Sequence, residues 1–249
     1  MSLIVHPMSS ASGLEALTLP PRINVTPGHF RDRTAGRALP TGTVTLLLAD
    51  IEGSTRLWES QPDVMAAALA AMDRTLAGLV HTNNGVCPIE QGEGDSFVVA
   101  FSRASDAVEC ALALQQAPLA PIRLRIGVHT GEVQLRDEGK YMGPTINRAA
   151  RLRELGYGGQ TLMSGTTSDL VRELLPEQAW LKDFGRYALR DLSRPERVTQ
   201  LCHPDLHNYF PPLRTRDKAR VSERGGVRRL REVGRALAFA GVGGVGRPA

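Results

Sequence analysis

The chain has 249 residues, 42% of them apolar and 22% charged, which describes a soluble globular protein of one or two domains. No run approaches the roughly 18 to 20 uninterrupted apolar residues of a membrane span, so no membrane partner is expected. The net charge of +4 is unevenly spread: Leu213 to Ala249 holds ten Lys/Arg against three Asp/Glu, leaving 20 basic against 23 acidic residues before it. The body is therefore mildly acidic, the chain's overall basicity gives no reason to expect a nucleic-acid partner, and the Arg-rich tail reads as a solvated segment. Cys87, Cys110 and Cys202 are odd in number and far apart, matching neither a disulfide framework nor a zinc site. With no basic start or long apolar run at the N-terminus, a reducing, cytoplasmic location is expected.

Residues 1–40 contain Pro20, Pro21, Pro27 and Pro40 without sustained periodicity and read as a mobile arm. Order begins with TVTLLLAD (Thr43 to Asp50), a run suited to a strand buried on both faces. A helix follows Pro62, with Val64, Ala67, Ala68 and Met72 at helical spacing. Two short strands, Val86 to Gln91 and Asp95 to Phe101, flank the tight Gly92-Glu-Gly94 turn, and Pro88 confines the first to a sheet edge. Ala107, Cys110, Ala111 and Leu114 mark a second amphipathic helix. Ile122 to Gly131 then reads as a strand alternating apolar and polar residues. A helix over Thr145 to Glu154, a strand over Thr161 to Ser164 and a helix over Thr167 to Leu175 follow. Two further strands are expected over Trp180 to Arg190 and Arg197 to Cys202. The composition changes after Pro211 and Pro212, giving an ordered domain over 41–212 and a basic tail over 213–249.

The order β-α-β-β-α-β predicts an α+β fold with a ferredoxin-like core. In that topology the first and third strands are antiparallel neighbours, so Asp50, ending one, and Asp95, starting the other, meet in space. Two aspartates at strand ends beside glycine-rich backbone make a hard oxygen site suited to Mg²⁺ or Mn²⁺. Gly53 with Ser54 and Thr55 leads into a helix whose free N–H groups can receive phosphate oxygens. In Gly143-Pro-Thr-Ile-Asn147-Arg-Ala-Ala-Arg151, Asn147 and Arg151 are i and i+4 and share one helix face. An amide beside a guanidinium suits a ribose oxygen next to a phosphate that gains charge. Singly, these signals also fit turn aspartates and a solvated helix face.

Together, LLLADIEGSTRLWE, GEGDSFVVAF, IRLRIGVHTGEV, YMGPTINRAARL and GRYALRDL resemble the catalytic domain of the class III nucleotidyl (adenylate and guanylate) cyclases, in order and spacing, over about residues 41–203. The resemblance implies cyclisation of ATP or GTP to the 3′,5′-cyclic monophosphate with release of pyrophosphate. It implies two Mg²⁺ or Mn²⁺ ions on Asp50, Asp95 and the Ile51 carbonyl, with Asn147 orienting the ribose and Arg151 stabilising the α-phosphoryl transition state. Arg190 falls where the family commonly has a triphosphate-binding lysine. The family shares each site between two catalytic domains, so a homodimer with two composite sites is implied.

The base-selecting positions depart from the adenylate cyclase pattern. Gln91 stands where a Lys is usual and Lys140 where an Asp is usual. Gln91 can donate or accept; Lys140 only donates, which suits guanine O6 better than the adenine amino group. The habit of bacterial relatives favours ATP, with GTP the second choice. The tail end, Gly241 to Gly246 followed by Arg247 and Pro248, is P-loop-like but lacks the Lys and Ser/Thr of that motif. An alternative reading follows from both departures: a weak or inactive cyclase-like, nucleotide-binding regulatory protein, similar to truncated transcriptional regulators.

Overall fold

The computed structural model describes residues 37–88, 95–136 and 139–215. All but residues 37–40 of the expected N-terminal arm, Gln91 and the Gly92–Gly94 turn, and all but the start of the basic tail lie outside the described residues.

Three antiparallel strands build the centre: β1 (Thr43–Ile51) lies between β2 (Ser96–Phe101) and β3 (Leu124–Glu132). Val86 bridges Ala100 on the outer side of β2. Of the expected Val86–Gln91 strand, the described residues show only this bridge, at the sheet edge where Pro88 confines it; with it, β2, β1 and β3 stand in ferredoxin-like order. The sheet continues through β6 (Thr161–Ser164), parallel to β3, then β8 (Glu196–Cys202) and β7 (Trp180–Tyr187). A two-stranded hairpin, β4 (Gln134–Leu135) with β5 (Tyr141–Met142), was not expected from the sequence; its strands are too short to show a period.

Every residue of β1 from Val44 to Ala49 is buried, because helices cover both faces of the sheet. Leu47, Ala49 and Ile51 join the cluster built with α2 (Pro62–Thr82) and α3 (Ala104–Gln116). Val44, Leu46 and Leu48 cluster on the other face with Ala149 of α4 (Pro144–Leu155). Such side chains contribute about 1.5–3 kcal/mol each when fully buried. In α3 the stripe Ala107, Cys110, Ala111 and Leu114 is buried as the spacing predicts. In α2 the expected face is displaced. Met65, Ala68, Met72, Leu76 and Val80 turn inward, whereas Val64 and Ala67 are exposed, because the three-and-four-residue stripe is set by the longer run after Met65. This helix is long and apolar enough to cross a membrane by length and composition, yet its stripe packs on the sheet. A separate short helix, α1 (Ser54–Ser60), precedes it, and extended Gln61 and Pro62 mark the break.

The alternation expected in β3 does not survive burial on both faces: Ile126 to Thr130 are all enclosed. Their polar groups are satisfied internally. His129 Nδ1 lies 2.8 Å from the Ser164 hydroxyl. The Thr130 hydroxyl bonds those of Thr45 (2.9 Å) and Thr167 (3.0 Å). Burial, and then the charge of Arg148, push the His129 pKa down to about 4. Gly127 lets α4 approach the strand backbone directly: a Cβ there would lie 2.4 Å from the Ala149 carbonyl oxygen and 2.5 Å from the Arg153 nitrogen.

Several bounds differ from the sequence reading. Helix α5 (Gly165–Val171) starts two residues early, because the Ser164 hydroxyl accepts from the Thr167 N–H and caps it; β7 ends at Tyr187. The body also reaches past 41–212. Leu39 packs against the β1 cluster, Leu213 is buried, and the Arg214 N–H donates to the Leu155 carbonyl at 3.0 Å. Cys87, Cys110 and Cys202 are free and buried, and burial pushes the Cys110 thiol up to about 12.

Candidate functional site

The register places the expected carboxylates together. Asp50 pairs with Ser96, so Asp95, the residue before it, stands at the same end of the sheet. On its other side Asp50 pairs with Arg125 of β3. That guanidinium grips the carboxylate with both arms, Nε to Oδ1 and Nη2 to Oδ2, each at 2.7 Å. Arg153 of α4 adds a second cation, its Nε 3.4 Å from Oδ2. All three side chains are 14–22% exposed. Neither arginine was singled out from the sequence. Arg125 was within reach, because an antiparallel pairing of the first and last core strands puts it opposite Asp50.

Among the described residues no three His, Cys, Asp or Glu side chains group as a metal cage. Two neighbouring carboxylates are nonetheless the donor set that Mg²⁺ uses when phosphate oxygens and water complete its shell. A carboxylate offers about four lone-pair positions, and the arginines occupy three at most on Asp50. The residues therefore fit a hard divalent ion, against the opposing charge of Arg125 and Arg153.

Three residues on, Gly53 adopts the left-handed conformation (φ 68°, ψ 25°) and opens α1. No side chain caps this helix, so the N–H groups of Ser54 and Thr55 have no intrahelical acceptor. Glu52, between Asp50 and this turn, is ion-paired to Arg214, whose guanidinium lies 4.4 Å over the Tyr157 ring.

Asn147 and Arg151, i and i+4, share one side of α4. Asn147 is exposed, while Arg151 is held by Glu154 (2.7 Å), Asp191 (3.1 Å) and the Arg190 carbonyl (3.2 Å). Arg190 binds the same two carboxylates, Asp191 at 3.3 Å and Glu154 at 3.6 Å. The fold thus brings together Arg151 and Arg190, the two cations expected to recognise phosphate, through acids that the sequence reading passed over. It keeps them apart from Asp50. Arg151 and Arg153 are two positions apart on one helix, about 200° around its axis, so when Arg153 turns to Asp50 Arg151 turns away. Lys140 sits just before β5, its carbonyl accepting from the Arg136 N–H at 3.0 Å. Its expected companion, Gln91, lies outside the described residues.

Comparison with known proteins places the chain in a family. Residues 37–201 match the model of the adenylate and guanylate cyclase catalytic domain. The chain is 58% identical over 197 residues to the uncharacterized protein Rv0891c of Mycobacterium tuberculosis, covering 79% of this chain and 68% of that protein. It is 48% identical over 194 residues to the uncharacterized protein Rv1359 of the same organism, covering 76% and 77% respectively. Among solved structures, adenylate cyclases from Trypanosoma brucei in their monomeric state superpose with a TM-score of 0.62 at 27% identity, over 74% of this chain and 97% of theirs.

Proposed function

This chain belongs to the adenylate and guanylate cyclase catalytic domain family, and from that premise we propose that it converts a nucleoside triphosphate to the 3′,5′-cyclic monophosphate and pyrophosphate as a homodimer. Each site takes Asp50, Asp95, the Ile51 carbonyl and the Gly53–Thr55 turn from one protomer and Asn147 with Arg151 from the other. The observation that carries this reading is the divergence of Arg151 from Asp50 on α4. One copy presents both half-sites on different sides, and a two-fold pairing makes them face each other.

Asp50, Asp95 and the Ile51 carbonyl would hold two Mg²⁺ or Mn²⁺ ions, which would supply activation of the ribose 3′-hydroxyl and neutralise charge on the triphosphate. The α1 turn receives phosphate oxygens on its free N–H groups. Asn147 orients the ribose. Arg151 leaves exposed Glu154 and Asp191 for the α-phosphoryl oxygens, an exchange of one charge-assisted bond for another. Arg190, anchored on the same acids, follows it to the triphosphate. Similarity to the trypanosome adenylate cyclases makes ATP the first choice of substrate; donor-only Lys140 makes GTP the second.

The clamp on Asp50 favours a second reading, a nucleotide-binding regulatory protein whose metal carboxylate stays closed. One experiment separates the two. Purified protein is incubated with Mn²⁺ and ATP or GTP, and cAMP and cGMP are quantified beside Asp50→Ala. Product that disappears in the variant supports the cyclase and names the base; nucleotide binding without product supports the regulator. Mixing Asp50→Ala with Arg151→Ala then tests the shared site. Heterodimers rebuild one intact site, and random pairing restores about a quarter of wild-type activity. No recovery on mixing overturns the composite site.

A further inference from the structure

Away from Asp50, four arginines line a cavity of about 430 Å³ between α4, α5 and the β7–β8 pair. Arg148 comes from α4, Arg186 from β7, Arg194 from the connection, and Arg197 from β8. Two acids share the lining, and both are committed. Glu196 holds Arg148 at 3.1 Å and the Gly165 N–H at 3.1 Å. Asp169 is bound by Arg197 and by Arg172 at 3.1 Å, and their hydrogen bonds hold its carboxyl below its ordinary pKa. Asp183 reaches Arg197 only at 4.0 Å. Among the described residues, the side chains of Arg186 and Arg194 make no hydrogen bond or ion pair.

Two further observations set this cavity apart from a solvated charged face. Arg186 and Arg197 are direct cross-strand partners, and like charges in that position repel. Arg148 and Arg197 each also bury an Nε–H that finds no acceptor. Unspent guanidinium groups, opposed cations and unmet donors around one space ask for the same thing: an anion with many oxygens. Arginine meets phosphoryl oxygens in a two-armed geometry that a single chloride cannot satisfy.

We propose that this cavity is a binding site for a compact anion carrying two or more phosphoryl groups, either free pyrophosphate or the phosphate chain of a nucleotide. Arg186 and Arg194 clamp the anion from the β7 side, and Arg148 and Arg197, positioned by Glu196 and Asp169, complete it. The site does not depend on the reading of Asp50.

Titration calorimetry in metal-free buffer at physiological salt tests it, with sodium pyrophosphate and, separately, ATP as probes. Wild-type protein and Asp50→Ala are expected to bind pyrophosphate equally. The double variant Arg186→Ala/Arg194→Ala, which removes exposed and unpartnered side chains, is expected to bind about tenfold or more weakly. Its melting temperature without ligand should hold or rise, because a cross-strand repulsion is gone. ATP binding more tightly than pyrophosphate identifies a nucleotide as the source; the reverse identifies the free anion. The proposal is overturned if wild type gives no binding, if the double variant binds as wild type does, or if affinity falls in Asp50→Ala instead. A cyclase that passes the activity test and fails here keeps its catalytic reading and loses only this site.

Discussion

Two arginine–carboxylate clusters hang from opposite sides of α4, and they differ in cost of opening. At the sheet end, Asp50, Arg125 and Arg153 are each no more than 22% exposed, and the Asp50–Arg125 contact is two-armed. On the outer side Arg151 is itself 21% exposed, as enclosed as Arg125, but its acids Glu154 and Asp191 are 42% and 72% exposed. Exposed pairs contribute about 0–1 kcal/mol, whereas stripping one partner from an enclosed pair leaves a charge poorly solvated. The same chemistry therefore makes one cluster a fixed corner and the other an exchangeable hold. On the proposed reading, a phosphate would recruit Arg151 cheaply, while a metal ion at Asp50 would have to compete with two guanidinium groups.

The most severe way to break this comparison is to remove the helix that carries both clusters. Gly127→Ala drives a methyl group into the Ala149 and Arg153 backbone. A loss of about 3 kcal/mol or more in urea unfolding is expected, with both clusters disturbed together.

A third arginine of α4, Arg148, sharpens the contrast from the interior. Its charge, after burial, keeps His129 neutral, with a pKa of about 4 against 6.5 in the unfolded chain. The unfolded state then binds the extra proton first, so stability falls as pH drops from about 6.5 to 4. A loss on the order of 3 kcal/mol is expected over that window, and His129→Asn should flatten it.

Next in size comes the comparison itself. Asp50→Ala strands Arg125 and Arg153 and is expected to cost about 2 kcal/mol by thermal or urea unfolding. Asp191→Ala should stay within about 0.5 kcal/mol. Equal losses would show that the clusters do not differ as argued. Smallest is a change in metal affinity. Arg153→Met withdraws one cation from Asp50 while keeping the packing, and Mn²⁺ binding read by electron paramagnetic resonance should tighten severalfold. Unchanged affinity would mean that Arg153 does not oppose the ion.

Much of this was legible before any coordinates. The β-branched run at Thr43, the glycine punctuation and the helical spacing of Ala107 to Leu114 reflect short-range rules, and the core order follows from them. That Asp50 and Asp95 stand at the same end of neighbouring strands followed from topology alone. What escaped the sequence depends on distant packing. Val64 and Ala67 looked inward until the stripe from Met65 to Val80 fixed the rotation of α2. The alternation of β3 pointed to one solvated face, and burial of the whole stretch Ile126 to Thr130 follows only from packing on both sides of the sheet. Arg153 reads as one cation in an Arg-rich helix, and only the crossing of α4 over Gly127 aims it at Asp50. The pairing of Gln91 with Lys140 lies outside the described residues and rests on the resemblance.

The bare contact at Gly127 has a mechanical meaning. A helix resting on side chains can roll or slide by exchanging rotamers, but one seated backbone on backbone has no such bearing. Helix α4 is keyed to its strand like a gear to a shaft. The angle between Arg151 and Asp50 is thus a constant of the chain, and in the proposed homodimer any signal that aligns or misaligns the two half-sites would have to rotate whole protomers against each other.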